Sequence, residues 1–403
     1  MTRPTAAPVW QAVGLVAAVA VGAVLLVVRQ PVGTGPARPV TAPRAWATFD
    51  APPLSPRALP MIAWTGREVL VFGGTAVPVA ADVSRTLDDG AIYDPARDTW
   101  RPMAAPPFDP PLASPAGAWN GSELVVVGVP CVDQPAADAS QERCRPGGLR
   151  AGAFDPTTNR WRPVGLPASL GPDAGVHAVE AIGSTGGGSL FELDDRRWLL
   201  RTDGTSAELP EPPFRVRLTC VVGAEVLAVG YTDDSSYLER LSDQEELDGA
   251  VSLDGPQTTP EQPSEMVAAT LVEPGGAWTV TSRADPGSVA PGYLNSACAP
   301  DGAYVFSSDP ADGQPGFARY DAAAGAWRDI AVPAGRPGVN PPAVVAAGHL
   351  LVWADLLLDY DPVSDGWTER PRADAPATVI PAGDRAVLSS FLDGTVRYGT
   401  LRP

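Results

Sequence analysis

Four cysteines and two histidines carry the most specific side-chain chemistry in this chain of 403 residues. Cys131 and Cys144 are near neighbours in sequence, with Pro130 and Pro146 beside them. A bridge between them closes one short loop and contributes about 2–3 kcal/mol by chain entropy. Cys220 and Cys298 are far apart in sequence and need the fold to bring them together. The imidazoles, His177 and His349, are too few for a histidine-rich metal centre. No Gly-x-Ser-x-Gly elbow, Cys/His dyad or phosphate-binding Gly-rich loop is present. Gly186-Gly187-Gly188 lacks a strand-to-helix setting and reads as a turn. The many Asp-Pro and Asp-Gly steps are turn chemistry, as is Asn120-Gly121-Ser122, a formal glycosylation sequon better explained as a hairpin turn. No residue is therefore assigned to catalysis, to a cofactor or to a metal, and no cofactor is expected.

The strongest candidate for a specific task is acidic. The segment from Tyr231 to Glu265 holds Asp233, Asp234, Glu239, Asp243, Glu245, Glu246, Asp248, Asp254, Glu261 and Glu265 against a single Arg240. Tyr237, Leu238 and Leu241 recur near helical spacing, which predicts a short helix over 236–247. Such a loop reads either as a docking site for a basic partner or a cation, or as a solvated excursion. The net charge of −18 disfavours nucleic acid, whose phosphates need a basic footprint.

The elements that must position these residues are repeats. Tyr93-Asp94-Pro95 is followed seven residues on from its aromatic by Trp100, and the spacing returns in Phe154 to Trp161, Tyr320 to Trp327 and Tyr360 to Trp367. A module at fixed spacing signals a repeat architecture. Around each copy lie short apolar runs separated by turns: Val69 to Phe72 before Gly73-Gly74, Leu124 to Val127 after Asn120-Gly121, Tyr304 to Phe306 after Asp301-Gly302. Four such runs per unit form an antiparallel meander. The units fall at about 54–107, 112–167, 176–213, 214–286, 293–333, 339–371 and 376–403, the third and fourth being the least regular. The last holds three strands. Residues 44–50, around Trp46, resemble the fourth strand near Trp100 and supply the missing one. The expectation is an all-β, seven-bladed propeller of four-stranded antiparallel blades, closed by strand 44–50 so that no sheet edge is left over.

On this arrangement Cys220 and Cys298 occupy the innermost strands of adjacent blades, where a second bridge is geometrically allowed. His177 begins an innermost strand near the mouth of the channel and is a candidate channel residue. His349, next to Gly348, reads as a solvated turn residue.

The amino terminus differs. Residues 12–28 are apolar without a break, led into by Val9-Trp10-Gln11 and flanked by Arg3 and Arg29, and about 20 such residues in a helix span a bilayer core of about 30 Å; the anchor is placed at 9–29. A single transmembrane signal anchor is expected there, preferred over a cleaved signal peptide, after a short cytoplasmic tail (1–8) and before a Pro/Gly-rich stalk (30–43). Paired cysteines behind such a segment point to an oxidising, extracytoplasmic compartment.

With Gly73-Gly74, the third-strand aromatic and the fourth-strand Trp in place, residues 44–403 resemble the kelch-type β-propeller family, as a divergent, membrane-anchored bacterial member. The resemblance implies that the paired glycines and the Tyr/Trp pair pack blade against blade. True Gly-Gly survives in that place once; Gly128-Val129, Gly230-Tyr231, Ser307-Ser308 and Ala354-Asp355 stand in the others. The family includes galactose-oxidase-like copper enzymes that use tyrosines and two histidines; His177 and His349 offer no route to such a site. The expected function is a protein- or glycan-binding module of the cell envelope, held at the membrane by its helix and presenting its long-loop face. The alternatives are a carbohydrate lyase or hydrolase at the channel mouth, and a structural part of an envelope complex.

Overall fold

The computed structural model describes residues 47–49, 52–76, 86–130, 148–170, 179–185, 187–193, 196–232, 266–272, 275–284, 293–308, 315–331, 341–353, 356–370, 376–392 and 395–401. Contacts divide the chain into 1–43 and Arg44–Pro403, and every described residue belongs to the second unit. The tail, anchor and stalk expected over 1–43 lie outside the described residues; among those described, no helix is long and apolar enough to cross a membrane.

Seven four-stranded antiparallel sheets follow one another along the chain. Blade 1 is built from Met61–Trp64, Val69–Phe72, Gly90–Asp94 and Thr99–Pro102, and blade 2 from Leu112–Trp119, Leu124–Pro130, Arg150–Asp155 and Arg160–Pro163. Blade 3 runs from Val179–Thr185 to Ser206–Glu208, blade 4 from Arg215–Val222 to Thr279–Ala284, blade 5 from Tyr293–Ala299 to Ala326–Ile330 and blade 6 from Ala343–Ala346 to Gly366–Arg370. Blade 7 takes three strands from the end of the chain and its outermost from Ala47–Thr48, where Ala47 pairs with Thr400 and Thr48 with Gly399. First strands of neighbouring blades touch in sequence around the circle, and Pro376–Ala382 touches Met61–Trp64. The ring is closed, and the fold is a seven-bladed β-propeller.

The aromatic-to-Trp spacing has a local cause. After each third strand, an Asp carboxylate accepts from the chain ahead: Asp94 from the amide of Ala96 (2.9 Å), Asp155 from Thr157 (2.7 Å), Asp321 from Ala324 (2.9 Å), Asp361 from Val363 (2.9 Å). The turn then needs one left-handed residue, and Asp98, Asn159, Gly325 and Asp365 take it with φ between 52° and 60°. The phenols of Tyr93 and Tyr360 donate to Asp98 and Asp365, each at 2.5 Å. So constrained, the ring pairs Tyr93–Trp100, Phe154–Trp161, Tyr320–Trp327 and Tyr360–Trp367 meet at centroid distances of 4.9 to 5.2 Å.

These pairs lie between blades, the third-strand ring buried and the Trp half-buried, each facing the preceding blade. Phe154 and Trp161 pack on Phe72 and Phe108 of blade 1, and Tyr360 and Trp367 on Phe317 of blade 5. The indole of Trp161 donates to the carbonyl of Ala104 (2.8 Å), that of Trp278 to Pro210 (2.7 Å) and that of Trp367 to Ala331 (2.6 Å). Every acceptor lies just past the outer strand of the preceding blade, so the crossovers are tied down by the repeat residue itself.

Two features depart from the expected pattern. The first strand of blade 2 is irregular, running from Leu112 to Trp119 across a bulge between Ala113 and Ala116. A small extra sheet pairs Arg57–Ala58 with Thr75–Ala76. It lies over Gly73-Gly74, where a side chain on Gly74 would come within 2.7 Å of the carbonyl of Ala58. There the paired glycines admit a backbone. Arg57 is buried beneath, its guanidinium donating to the carbonyl of Gly73 (3.0 Å) and paired with Asp89 (2.9 Å).

Candidate functional site

The meander gives the two faces of the ring different material. First-to-second and third-to-fourth strand connections are tight turns, such as Thr65 to Glu68 and Asn120 to Glu123, where the side chain of Asn120 accepts from the amides of Ser122 and Glu123. Second-to-third connections leave from the opposite face, together with the blade crossovers. They depart from Pro130 and return at Arg150, and depart from Tyr231 and return at Met266. Tyr231 pairs with Met266 at the root of the longest of them, and both are buried.

The expected candidates distribute as follows. Cys220 and Cys298 form a disulfide between the innermost strands of blades 4 and 5, with Cα atoms 5.5 Å apart. Cys220 packs in the same cluster as Tyr231 and Met266, so the covalent link and the root of the acidic connection belong to one rigid region. Cys131 and Cys144, the loop residues Asp233, Asp234, Tyr237, Glu239, Asp243, Glu245 and Glu246, and His177 lie outside the described residues. Among the described residues, no group of three His, Cys, Asp or Glu side chains is placed to hold a metal.

His349 needs correction. It is not a free turn residue. It begins the second strand of blade 6, in the register position that Glu68 and Glu123 occupy just before Val69 and Leu124 in blades 1 and 2. Its Nδ1 lies 2.8 Å from Asp359 Oδ1, and Asp359 is only 2% exposed. The other carboxylate oxygen meets Arg370 Nη2 at 2.5 Å. In blades 1 and 2 the same region holds an acid on the second strand and an arginine on the fourth, Glu68 with Arg101 (3.1 Å) and Glu123 with Arg162 (Nε to Oε1, 2.8 Å). Blade 6 moves the acid to the third strand and places bases on both sides of it. Sequence reasoning missed this cluster because Asp359 sits among turn-forming aspartates. The available signal was its place between Leu358 and Tyr360 in an otherwise apolar run, where a carboxylate needs partners.

The described carboxylates with displaced acidity are all held ionised. A hydrogen bond from Arg97 lowers Asp94, the hydroxyl of Thr158 lowers Asp155, and the amide of Val363 lowers Asp361. These groups lock turns and are unsuited to proton donation near neutral pH. Burial raises the phenols of Tyr304, Tyr320, Tyr360 and Tyr398.

The strand pairing thus defines a protein class, the seven-bladed β-propellers, with a turn face and a long-connection face. No family model matches the chain, and no curated protein matches it. Among solved structures it is similar to one described as "Structure of YjhT", at 11% identity and a TM-score of 0.38, over 88% of this chain and 87% of that one. The blade count rests on the hydrogen-bonded registers rather than on that likeness.

Proposed function

We propose that the chain is a membrane-tethered, extracytoplasmic, kelch-like propeller that binds a protein partner of the cell envelope through its long-connection face, with the acidic segment 233–265 as the docking element for a basic surface. The observation that carries this reading is the root of that segment. Tyr231 and Met266 are paired, buried and packed on the cluster that holds the Cys220–Cys298 bridge. A loop offered from a rigid base loses less freedom on binding than one on a mobile base. Its excess of carboxylates favours a basic partner and steers its approach. The disulfide supports an oxidising compartment, and Cys131 with Cys144 is proposed as a second pair there.

The test uses the full chain and a chain lacking 233–264, both in nanodiscs, titrated with a fluorescent Arg-rich peptide at two salt concentrations. The expected result is binding by the full chain that weakens with salt and is lost on deletion. Equal binding by both chains sinks the docking reading. Alkylation of unreduced cells addresses the compartment: reactive thiols at all four cysteines count against it.

A further inference from the structure

The opposite, turn face carries a pocket that the repeat pattern explains. It lies between blades 3 and 4 and has a volume of about 330 Å³. Its walls are Leu190, Leu199, Leu209, Val226 and Leu271, all buried aliphatics. Strand register shows why the space exists. Tyr93, Phe154, Tyr320 and Tyr360 each pair with the residue that follows the first turn of their blade: Val69, Leu124, Ala303 and Leu350. In blade 4 that partner is Val226, and the residue opposite is Leu271. Trp278 still follows seven residues later and still donates to the preceding crossover. Blade 4 therefore keeps the indole and lacks the ring that would fill the interface in front of it. Blade 7 also has leucine there, Leu401, but Trp353 of blade 6 packs in the same cluster; blade 3 offers no ring to its interface with blade 4.

Among the described residues, the mouth has one cationic group. Thr185 and Gly187 form one lip, and a side chain added at Gly187 would meet nothing nearer than Thr185 Oγ1 at 3.8 Å. Ala224 and Val272 form the other, and Val272 is 65% exposed, an apolar side chain left in water at the entrance. Arg201 stands at the rim, its guanidinium hydrogen-bonded to Thr205 (3.4 Å) and close enough to Asp203 for their charges to interact. The neighbouring Asp203 is engaged by the amide and hydroxyl of Thr205 at 2.8 and 2.7 Å. Hydrocarbon walls with one guanidinium at the opening suit an apolar chain that ends in an anion. A cavity of about 150 Å³ holds one benzene, so this one accepts a chain of roughly ten carbons.

We propose that this pocket binds a medium-chain carboxylate, its hydrocarbon between Leu199 and Leu271 and its head group at Arg201. The experiment measures fluorinated decanoate binding by ¹⁹F NMR to the full chain in zwitterionic nanodiscs, with empty nanodiscs as blank and decanol and decyltrimethylammonium as comparators. Leu271→Phe supplies the ring that blades 1, 2, 5 and 6 carry and is expected to weaken decanoate by more than about tenfold, since the buried methylenes lose their space. Arg201→Gln is expected to weaken decanoate about threefold, the scale of a rim charge pair, and to leave decanol unchanged. If Leu271→Phe fails to fold, Arg201→Gln alone decides. Absence of decanoate binding, unaltered binding in the variants, equal affinity for decyltrimethylammonium, or association with anionic vesicles in place of free decanoate each overturns the proposal.

Discussion

Asp359 holds the imidazole of His349 at 2.8 Å on one carboxylate oxygen and the guanidinium of Arg370 at 2.5 Å on the other, at a point in blade 6 where only 2% of the acid is exposed. The arrangement compensates a buried charge from two neighbouring strands. Removing the acid takes a partner from both bases, whereas removing one base leaves the acid still paired. Asp359→Asn is therefore expected to cost about 2 kcal/mol, the scale of a hydrogen bond to a charged group, and His349→Gln distinctly less. Urea denaturation of the three chains at neutral pH measures both. Equal costs for the two variants would mean that Asp359 is not the centre of the cluster.

The bridge between Cys220 and Cys298 spans 78 residues of sequence. Closing a loop of that length in the unfolded chain contributes up to about 4.5 kcal/mol. The paired variant Cys220→Ala/Cys298→Ala should lose much of that and retain the propeller, because blade 4 and blade 5 also meet through the Leu227, Val305 and Tyr320 cluster. Denaturation with and without reductant, monitored by tryptophan fluorescence, reports the difference. If reductant leaves the parent chain unchanged, the link adds no stability.

Tyr398 predicts the alkaline limb. Its phenol is 3% exposed and has no hydrogen-bond partner among the described residues, and burial pushes its pKa up to about 12. The unfolded value is about 10. The folded chain thus favours the protonated phenol, and this contribution is fully present below about pH 10 and lost as pH rises through about pH 12. A shift of that size corresponds to about 2–3 kcal/mol. Tyr398→Phe should match or exceed the parent's stability at pH 7 and show a flatter decline above pH 10. An identical decline in both would remove Tyr398 as its source.

Gly66 and Gly74 separate backbone strain from crowding. Their φ angles are alike, at 90° and 96°, but a side chain at Gly66 meets nothing within 4 Å while one at Gly74 meets Ala58 O at 2.7 Å. Gly66→Ala should cost about 1 kcal/mol, for the left-handed backbone alone. Gly74→Ala should cost at least about 2 kcal/mol and release the small sheet over Arg57. Thermal melts compare them, and equal costs would show that the sheet yields freely.

Local chemistry was legible throughout. Tyr93 to Trp100 repeats because an Asp-capped turn with one left-handed residue fixes its length, and that rule operates within a few residues of chain. Counting its copies and noticing the likeness around Trp46 was enough to reach seven blades closed from the amino end. A Cys220–Cys298 bridge was allowed by the sequence, since first strands of consecutive blades are neighbours in a closed ring, and the structure shows it formed. His349 was misplaced because it opens the strand rather than the turn, and from there its ring reaches across to Asp359 on the next strand of the same blade.

What the sequence determined alone is therefore the period, the blade count and the closure, all set by contacts between residues close in the chain or by the requirement that a ring leave no edge. What only the tertiary structure decided is which side chains meet: the buried acid of Asp359 between two bases on neighbouring strands of blade 6, and the space before Trp278 where Leu271 replaces a ring. Those depend on how strands and blades bring side chains together, and packing there is resolved at the scale of single methylene groups, finer than any spacing of residue types.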